Sequence, residues 1–289
     1  MATFNVFHQR DIDNFVMVYT MGKVGSTAIA RSLEGAGIFA RHLQWLTPET
    51  QAFMESTANP NSIPSAISRL DHRRAYHALR DLDYANSVRV ITAIRAPIEQ
   101  ILSHYFHTLE IPAWAGVNHG QSDAAIIVAD VLRGVRAFMA NPMRTVAELT
   151  RELSTESRQS ALFCWIVRNY LSWFDEELLP FFPVPILQGA VTDGYQIADN
   201  VMIVKFEDLS RGGERAIAAW VQRPQFKLER ANVGAKKSYG GVYGEVLRTI
   251  RFPVEFIDHL CDSTYVRHFY SAEERDGQTR RWSEKCGQR

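Results

Sequence analysis

The chain contains 289 residues, of which 46% are hydrophobic and 22% are charged. This composition is typical of a globular protein and excludes a chain that is disordered along most of its length. The 32 basic and 32 acidic residues balance, so no overall charge draws the chain onto nucleic acid or an anionic membrane. Any anion-binding site must therefore be local.

Residues 1–15 lack the apolar core of a signal peptide, and no stretch approaches the roughly 20 apolar residues that span a bilayer. We therefore expect a cytoplasmic protein without a transmembrane segment. The cysteines Cys164, Cys261 and Cys286 are widely spaced and odd in number, which argues against a disulfide framework or a zinc site. We expect free thiols and no bound metal.

Three continuous apolar runs predict buried β-strands. The runs are Phe15–Tyr19, Val88–Ile94 and Val201–Phe206. Helical patterns follow the first two runs, at Ser26–Leu33 and from Pro97 onwards. Buried strands separated by helices predict an α/β fold, in which a mostly parallel, P-loop-like sheet is flanked by helices.

The remaining helical patterns predict two additions to this sheet. Residues 112–180 predict a helical insertion, and Val242–Glu274 predicts a helical carboxy-terminal cap. An aromatic stripe in the insertion consists of Phe163, Trp165, Tyr170, Trp173 and Phe174. We interpret the stripe as core or as the wall of a substrate cleft, because aromatic residues at helical spacing usually pack. No repeat or long linker interrupts the chain, so we expect one domain over residues 1–289.

The segment that joins the first predicted strand to its helix has the residue types of an anion-binding loop. It reads Gly22-Lys23-Val24-Gly25-Ser26-Thr27. The two glycines let backbone amides converge on an anion, and the helix amino terminus adds a partial positive charge. Lys23 supplies a mobile cation, while the hydroxyls of Ser26 and Thr27 can cap the helix or donate to the same anion.

The order of these residues differs from the GxxxxGK[ST] loop of nucleoside triphosphatases, in which lysine and the hydroxyl residue are adjacent. A standard ATPase loop is therefore absent. The alternative interpretation is an ordinary strand-to-helix turn with a capping serine.

A second group of candidate residues follows the second predicted strand. Arg95 comes directly after this strand, where open α/β sheets bind ligands, and Ser103 lies two turns into the next helix. A guanidinium and a hydroxyl on one strand–helix unit suit a second phosphate. The alternative for each residue alone is an ordinary surface position.

These elements resemble the nucleotide-dependent sulfotransferases, which have a P-loop-like α/β fold. More narrowly, the chain resembles the bacterial capsular-polysaccharide-synthesis group related to sulfotransferases. The stretches that carry the two resemblances are Gly22–Thr27, Arg95–Pro97 with Ser103, Val204–Leu209, Asn169–Glu177, Asn232–Tyr239 and Tyr265–Glu274.

The resemblance implies a sulfotransferase that moves a sulfuryl group from 3′-phosphoadenosine 5′-phosphosulfate to an acceptor hydroxyl, for which a saccharide is one candidate. The loop from Gly22 to Thr27 would hold the 5′-phosphosulfate, and Arg95 and Ser103 would hold the 3′-phosphate. Lys23 would also neutralise the oxygen that leaves with the phosphate.

The chain departs from the family pattern in two places. Ala28 and Ile29 stand where some cytosolic members have an aromatic residue, so adenine stacking must come from elsewhere. The run that contains Lys236 and Lys237 matches the basic, glycine-containing loop of cytosolic members only loosely. These two lysines are therefore weak candidates for donor binding.

Transfer to a hydroxyl also requires a base, and His42 is the candidate because it follows the first helix and a short apolar stretch. A structural histidine is the alternative interpretation. Glu34, His104 and His107 are the other candidate bases.

Two polar runs fit structural roles better. The run from Asp71 to Arg74, which contains His72, is interpreted as a solvated helix face. Glu207 and Asp208 after the third strand are interpreted as a turn or cap.

Two other functions remain open at this level. An atypical P-loop kinase would bind ATP with magnesium, whereas a non-catalytic nucleotide-binding protein of polysaccharide assembly would bind the nucleotide without transfer. A small alcohol, a phenol or a lipid head group is an alternative acceptor to a saccharide.

Overall fold

The computed structural model describes residues 14–57, 72–80, 82–109, 123–153, 158–229 and 240–283. Its strands are β1 (Phe15–Tyr19), β2 (Phe39–Leu43), β3 (Arg89–Ile94), β4 (Tyr195–Ala198) and β5 (Val201–Lys205). Its helices are α1 (Ser26–Gly35), α2 (Pro48–Thr57), α3 (residues 72–79), α4 (Leu82–Ser87), α5 (Pro97–Leu109), α6 (Ala124–Ala140), α7 (Val146–Glu152), α8 (Arg158–Trp173), α9 (Glu214–Trp220), α10 (Gly240–Thr249), α11 (Val254–Cys261), α12 (Thr264–Phe269) and α13 (Ala272–Trp282). Short π-helical turns cover Phe174–Leu178 and Leu209–Gly213, and short 3-10 turns cover Ile186–Gln188 and Phe206–Asp208.

The chain divides into two compact units. The first unit comprises Met1–Thr47, Ile67–Arg95 and Phe174–Ala231, and the second comprises Pro48–Ala66, Ala96–Trp173 and Asn232–Arg289. The described strands all belong to the first unit, and the described elements of the second unit are helices. A single domain over residues 1–289 stays a prediction.

The first unit is built around a five-stranded sheet with the strand order β2-β1-β3-β5-β4. The strands β2, β1, β3 and β5 run parallel to one another, and β4 is antiparallel to β5. The three predicted apolar runs coincide with β1, β3 and β5, because these strands are buried along nearly their whole length. The predicted α/β fold with a mostly parallel sheet flanked by helices is therefore confirmed.

One face of this sheet packs against α1 and α9. Val18 of β1 is in register with His42 of β2, so the two side chains lie on the same face. On that face lies a buried apolar cluster from strands and helices, which includes Val16, Val18, Ala40, Ile29, Leu33 and Ile217. His42 therefore lies near the carboxyl end of a face that α1 covers.

The second unit is helical in its described part. The helices α6, α7 and α8 lie within the predicted insertion, and α10 to α12 lie within or close to the predicted carboxy-terminal helical segment, which α13 extends. The five residues of the aromatic stripe are all buried, with exposed fractions of 5% or less. The interpretation of the stripe as core packing is confirmed.

Cys164 and Cys261 are buried free thiols, as predicted, and burial raises the pKa of each to about 11. Cys286 lies outside the described residues.

Over the described ranges, none of the helices combines the length and the apolar character needed to cross a membrane.

Replacing Gly134 should destabilise the contact between α6 and α8. A Cβ atom at this position would lie 2.7 Å from Cβ of Phe163, which is closer than packed carbon atoms come. We expect Gly134→Ala to lower the free energy of unfolding by about 1–3 kcal/mol through overpacking, measured by urea denaturation. Gly241→Ala on α10 is the matched control, because no atom lies within 4 Å of its added Cβ. Equal stability of the two variants would contradict the prediction.

Candidate functional site

The loop between β1 and α1 adopts left-handed backbone angles at Gly22 (φ 84°), Lys23 (φ 58°) and Gly25 (φ 84°). Gly25 is the N-cap of α1, and its carbonyl accepts the first helical hydrogen bond from the Ile29 N–H at 3.1 Å. The predicted capping by Ser26 or Thr27 is wrong, because the helix begins at Ser26 and no side chain caps it. Both hydroxyl residues instead occupy the first turn of the helix.

Lys23 is strained, and Arg95 contacts the strained backbone. A left-handed conformation costs a non-glycine residue about 1 kcal/mol or more and persists where neighbouring groups hold it. Nη1 of Arg95 donates a hydrogen bond to the Lys23 carbonyl at 3.1 Å. Two of the predicted cations, Lys23 and Arg95, therefore meet at the carboxyl ends of the adjacent strands β1 and β3.

The residues after β5 pack against this loop. The guanidinium carbon of Arg95 lies 4.5 Å from the ring centroid of Phe206, within the range of a cation–π contact. A Cβ at Gly25 would lie 2.9 Å from Cδ1 of Leu209 and 3.2 Å from Cδ2 of Phe206. The stretch Val204–Leu209, which carried part of the resemblance, thus supplies the apolar wall of the loop.

The acidic residues in that stretch have structural positions. Phe206–Asp208 forms a 3-10 turn, which confirms the interpretation of Glu207 and Asp208 as a turn. Asp208 lies 3.6 Å from Nζ of the buried Lys205, while Glu207 is exposed.

His42 lies within β2, the strand next to β1, and contacts the loop through Gln44. Nε2 of Gln44 is 3.4 Å from Nε2 of His42. A Cβ placed on Gly22 would lie 3.2 Å from the same Gln44 nitrogen, so the amide packs directly on the loop. His42 and the loop therefore belong to one site.

The surroundings of His42 keep its imidazole neutral. Burial lowers its pKa, and the nearby His72 and Lys23 lower it further, to about 4. His72 lies on α3 and is partly buried, whereas its neighbours Arg73 and Arg74 are exposed. The predicted solvated helix face is therefore correct for the two arginines, whereas His72 turns towards the site. Asp71, the first residue of that run, lies outside the described residues.

A buried glutamate ties β1 to the segment that follows β2. Glu177 is 1% exposed, and its Oε2 accepts hydrogen bonds from the Tyr19 hydroxyl at 2.6 Å, from Leu46 N–H at 2.8 Å and from Thr47 N–H at 3.2 Å. The Thr47 hydroxyl donates to Oε1 at 2.5 Å. Burial and the charge of Glu177 raise the pKa of Tyr19, so its phenol remains protonated. The loop begins directly after Tyr19, the last residue of β1, which Glu177 holds in place.

A π-helical turn presents Glu177 to the interior. The Leu179 N–H donates to the Phe174 carbonyl at 2.8 Å, five residues back along the chain. Asp175 is exposed and Glu176 is partly buried. Of three consecutive acidic residues, the turn thus selects Glu177 for the interior.

Other predicted residues belong to the second unit. Ser103, His104 and His107 lie on α5 of the second unit. His104 is 3% exposed, and its ring centroid lies 5.7 Å from that of Trp165, so it is part of an aromatic core. Ser103 and His107 are partly buried.

Two further predictions concern residues away from the loop. Glu34 is exposed in the last turn of α1, whereas the loop precedes the first turn. Lys236 and Lys237 lie outside the described residues.

A cavity of about 250 Å³ lies at the opposite edge of the sheet, next to the turn before β5. Its lining residues are Asn86, Phe182, Pro183, Val184, Asp199 and Asn200. The polar part of this lining consists of amides and one carboxylate, which do not suit a phosphate ester. We therefore place the candidate anion site at the loop.

Sequence reasoning missed Gln44, His72 and the interior role of Glu177. The run Phe39–Leu43 is short and contains two polar residues, so it did not predict the strand that brings Gln44 to the loop. Glu177 appeared only within a resembling stretch, because one acidic residue among three carries no local sign of burial.

Gly25→Ala should lower the free energy of unfolding more than Gly37→Ala, which introduces similar backbone strain without a steric clash. Gly37 has a similar angle (φ 78°), and no atom lies within 4 Å of an added Cβ there. We expect Gly37→Ala to lower the free energy of unfolding by about 1 kcal/mol through strain. Gly25→Ala should lose a further 1–3 kcal/mol, roughly, because its Cβ meets Leu209 and Phe206. Equal losses in urea denaturation would show that the loop is not closely packed.

Removing the acceptor at residue 177 should destabilise the protein far more than removing its charge. Glu177→Leu leaves two backbone N–H groups without their acceptor and leaves the Tyr19 hydroxyl only its contact of 3.2 Å to the carbonyl of residue 177, at a cost of about 3 kcal/mol or more. Glu177→Gln can keep its carbonyl in the place of Oε2 while the Thr47 hydroxyl rotates to accept, so we expect a loss of about 1 kcal/mol. Similar denaturation midpoints for the two variants would contradict this account.

Residues 156–271 match the model of one protein family, which is described as "Putative capsular polysaccharide synthesis protein". Searches of curated proteins and of solved structures each gave no match. The matched stretch includes Glu177, Phe206 and Leu209, and the loop from Gly22 to Thr27 lies before it. The match supports the resemblance of this stretch to the capsular group.

Proposed function

We propose that the protein is a sulfotransferase that transfers a sulfuryl group from 3′-phosphoadenosine 5′-phosphosulfate to a saccharide hydroxyl. The observation that carries the proposal is the loop before α1, where a left-handed Lys23 is held by Arg95 at the carboxyl edge of the sheet. The similarity of residues 156–271 to a capsular polysaccharide family supports a saccharide as the acceptor.

The groups at this loop fit the phosphosulfate end of the donor. Sulfate and phosphate oxygens require cations and hydrogen-bond donors, and Lys23 supplies an ammonium group next to the helix amino terminus. Ser26 and Thr27 add hydroxyls in the first turn of α1. The proposal that Arg95 and Ser103 bind the 3′-phosphate rests on the sequence alone.

Sulfuryl transfer requires the protein to align the reacting groups, to neutralise the charge on the leaving oxygen and to supply a base. The bound donor would supply the sulfuryl group, with its phosphate as the leaving group. Lys23 would stabilise the charge that develops on the leaving oxygen. His42 would accept the proton of the acceptor hydroxyl, since a pKa of about 4 leaves its imidazole unprotonated at neutral pH.

Ligand binding in the presence of a metal chelator tests the proposal against the kinase alternative. We expect calorimetry to show binding of adenosine 3′,5′-bisphosphate without metal. Binding of ATP with magnesium, together with no binding of the bisphosphate, would identify a kinase-like site instead. Transfer of labelled sulfate from the donor to oligosaccharides would then distinguish an enzyme from a non-catalytic nucleotide-binding protein.

Lys23→Ala should abolish transfer and leave the fold intact. The loss of one preorganised charge at the leaving oxygen is expected to lower kcat by roughly 10²–10³-fold. Lys227→Ala is the matched control, because Lys227 is an exposed lysine of the same unit. Activity is measured as labelled sulfate transferred, and folding by the urea midpoint. Near-normal turnover of a folded Lys23→Ala protein would remove Lys23 from the mechanism.

A further inference from the structure

We propose that Lys23, His42 and His72 form one anion-binding cluster, in which the binding of a sulfate or phosphate group is coupled to uptake of a proton by His42. The inference deepens the proposed function and rests on it for the identity of the natural anion. The coupling itself is a property of the cluster.

Three separate elements carry these residues, and Lys23 and His72 both lie close enough to His42 to act on its charge. Lys23 lies in the loop after β1, His42 lies on the neighbouring strand β2, and His72 lies on α3. In the sheet, His42 is in register with Val18, one residue before the end of β1. The strand therefore holds the imidazole beside the start of the loop.

Gln44 provides the direct contact between the loop and the imidazole, as its Nε2 lies next to both Gly22 and His42. An amide can present its nitrogen to a neutral ring or, after a flip, its oxygen to a charged one. The neighbour of His42 thus suits both protonation states.

Within the described part of the chain, the charges that act on His42 are of one sign. The titratable groups that shift its pKa are His72 and Lys23, both basic, and with burial they lower it to about 4. A bound divalent anion would supply the missing negative charge and stabilise the imidazolium. Proton uptake and anion binding must then favour each other, because the coupling of two ligands is reciprocal.

The coupling also sets how the affinity for the anion changes with pH. Binding raises the pKa of His42 from about 4, so affinity increases as the pH falls through the higher pKa of the complex. The gain levels off once the free protein is itself protonated, near pH 4. Above both values the affinity is independent of this group, and His42 stays neutral in the complex, as its proposed role as base requires.

Inorganic sulfate is the probe, because it does not change its own charge over the pH range of interest. The imidazole signals of His42 are followed by nuclear magnetic resonance from about pH 8 to about pH 3, in sodium sulfate and in sodium chloride of equal ionic strength. We expect sulfate to raise the pKa of His42 by about one unit or more, which corresponds to about tenfold tighter binding to the protonated form. The signals of His77, an exposed residue of α3, should be the same in both salts.

Lys23→Ala provides the second measurement. It should raise the pKa of His42 in chloride, because a repelling charge is removed, and it should weaken sulfate binding. A His42 titration that is identical in both salts would overturn the inference, whether or not sulfate binds elsewhere. A shift with sulfate, combined with no binding of adenosine 3′,5′-bisphosphate, would leave the cluster in place and contradict the proposed function.

Discussion

The buried carboxylate of Glu177 is the contact on which the geometry at the carboxyl edge of the sheet depends. A charge removed from water is tolerated only when its oxygens accept hydrogen bonds, and the donors here come from the last residue of β1 and from Leu46 and Thr47. The hydrogen bonds to this one carboxylate therefore fix the position of β1 relative to Leu46 and Thr47. The loop starts directly after Tyr19, and His42 lies in the strand that leads to Leu46, so the same contact sets the spacing between loop and imidazole.

The site combines features that oppose stability, and its neighbours offset them. Lys23 has a strained backbone, which Arg95 and the wall formed by Phe206 and Leu209 hold in place. His42 has a folded-state pKa of about 4, against about 6.5 in an unfolded chain. The unfolded chain therefore binds more protons between these values, and folding loses stability as the pH falls from 6.5 towards 4. Such features are typical of residues kept for binding or catalysis.

The parts of this molecule that could be predicted are those with a local cause. Strands β1, β3 and β5 are buried on both faces and read as continuous apolar runs, whereas β2 is an edge strand that contains Arg41 and His42, and β4 is an edge strand of four residues. The positions of the Gly22–Thr27 loop and of Arg95 could be predicted for the same reason, since each directly follows a buried strand, while anion binding by them stays a prediction. Gln44, His72 and Glu177 join the site through strand pairing and long-range packing, which no short window of sequence contains.

The π-helical turn at Phe174–Leu178 makes this part of the chain sensitive to the deletion of a residue. Such a turn accommodates one residue more than an α-helical turn. Deletion of a single residue there would restore regular α-helical bonding, and each residue of an α-helix is rotated by about 100° from the last. Glu177 would then swing away from its donors, although no side chain of the site had been altered. The exposed residues 141–143 between α6 and α7 can absorb the same deletion, so the length of this chain is constrained at one turn and can vary at another.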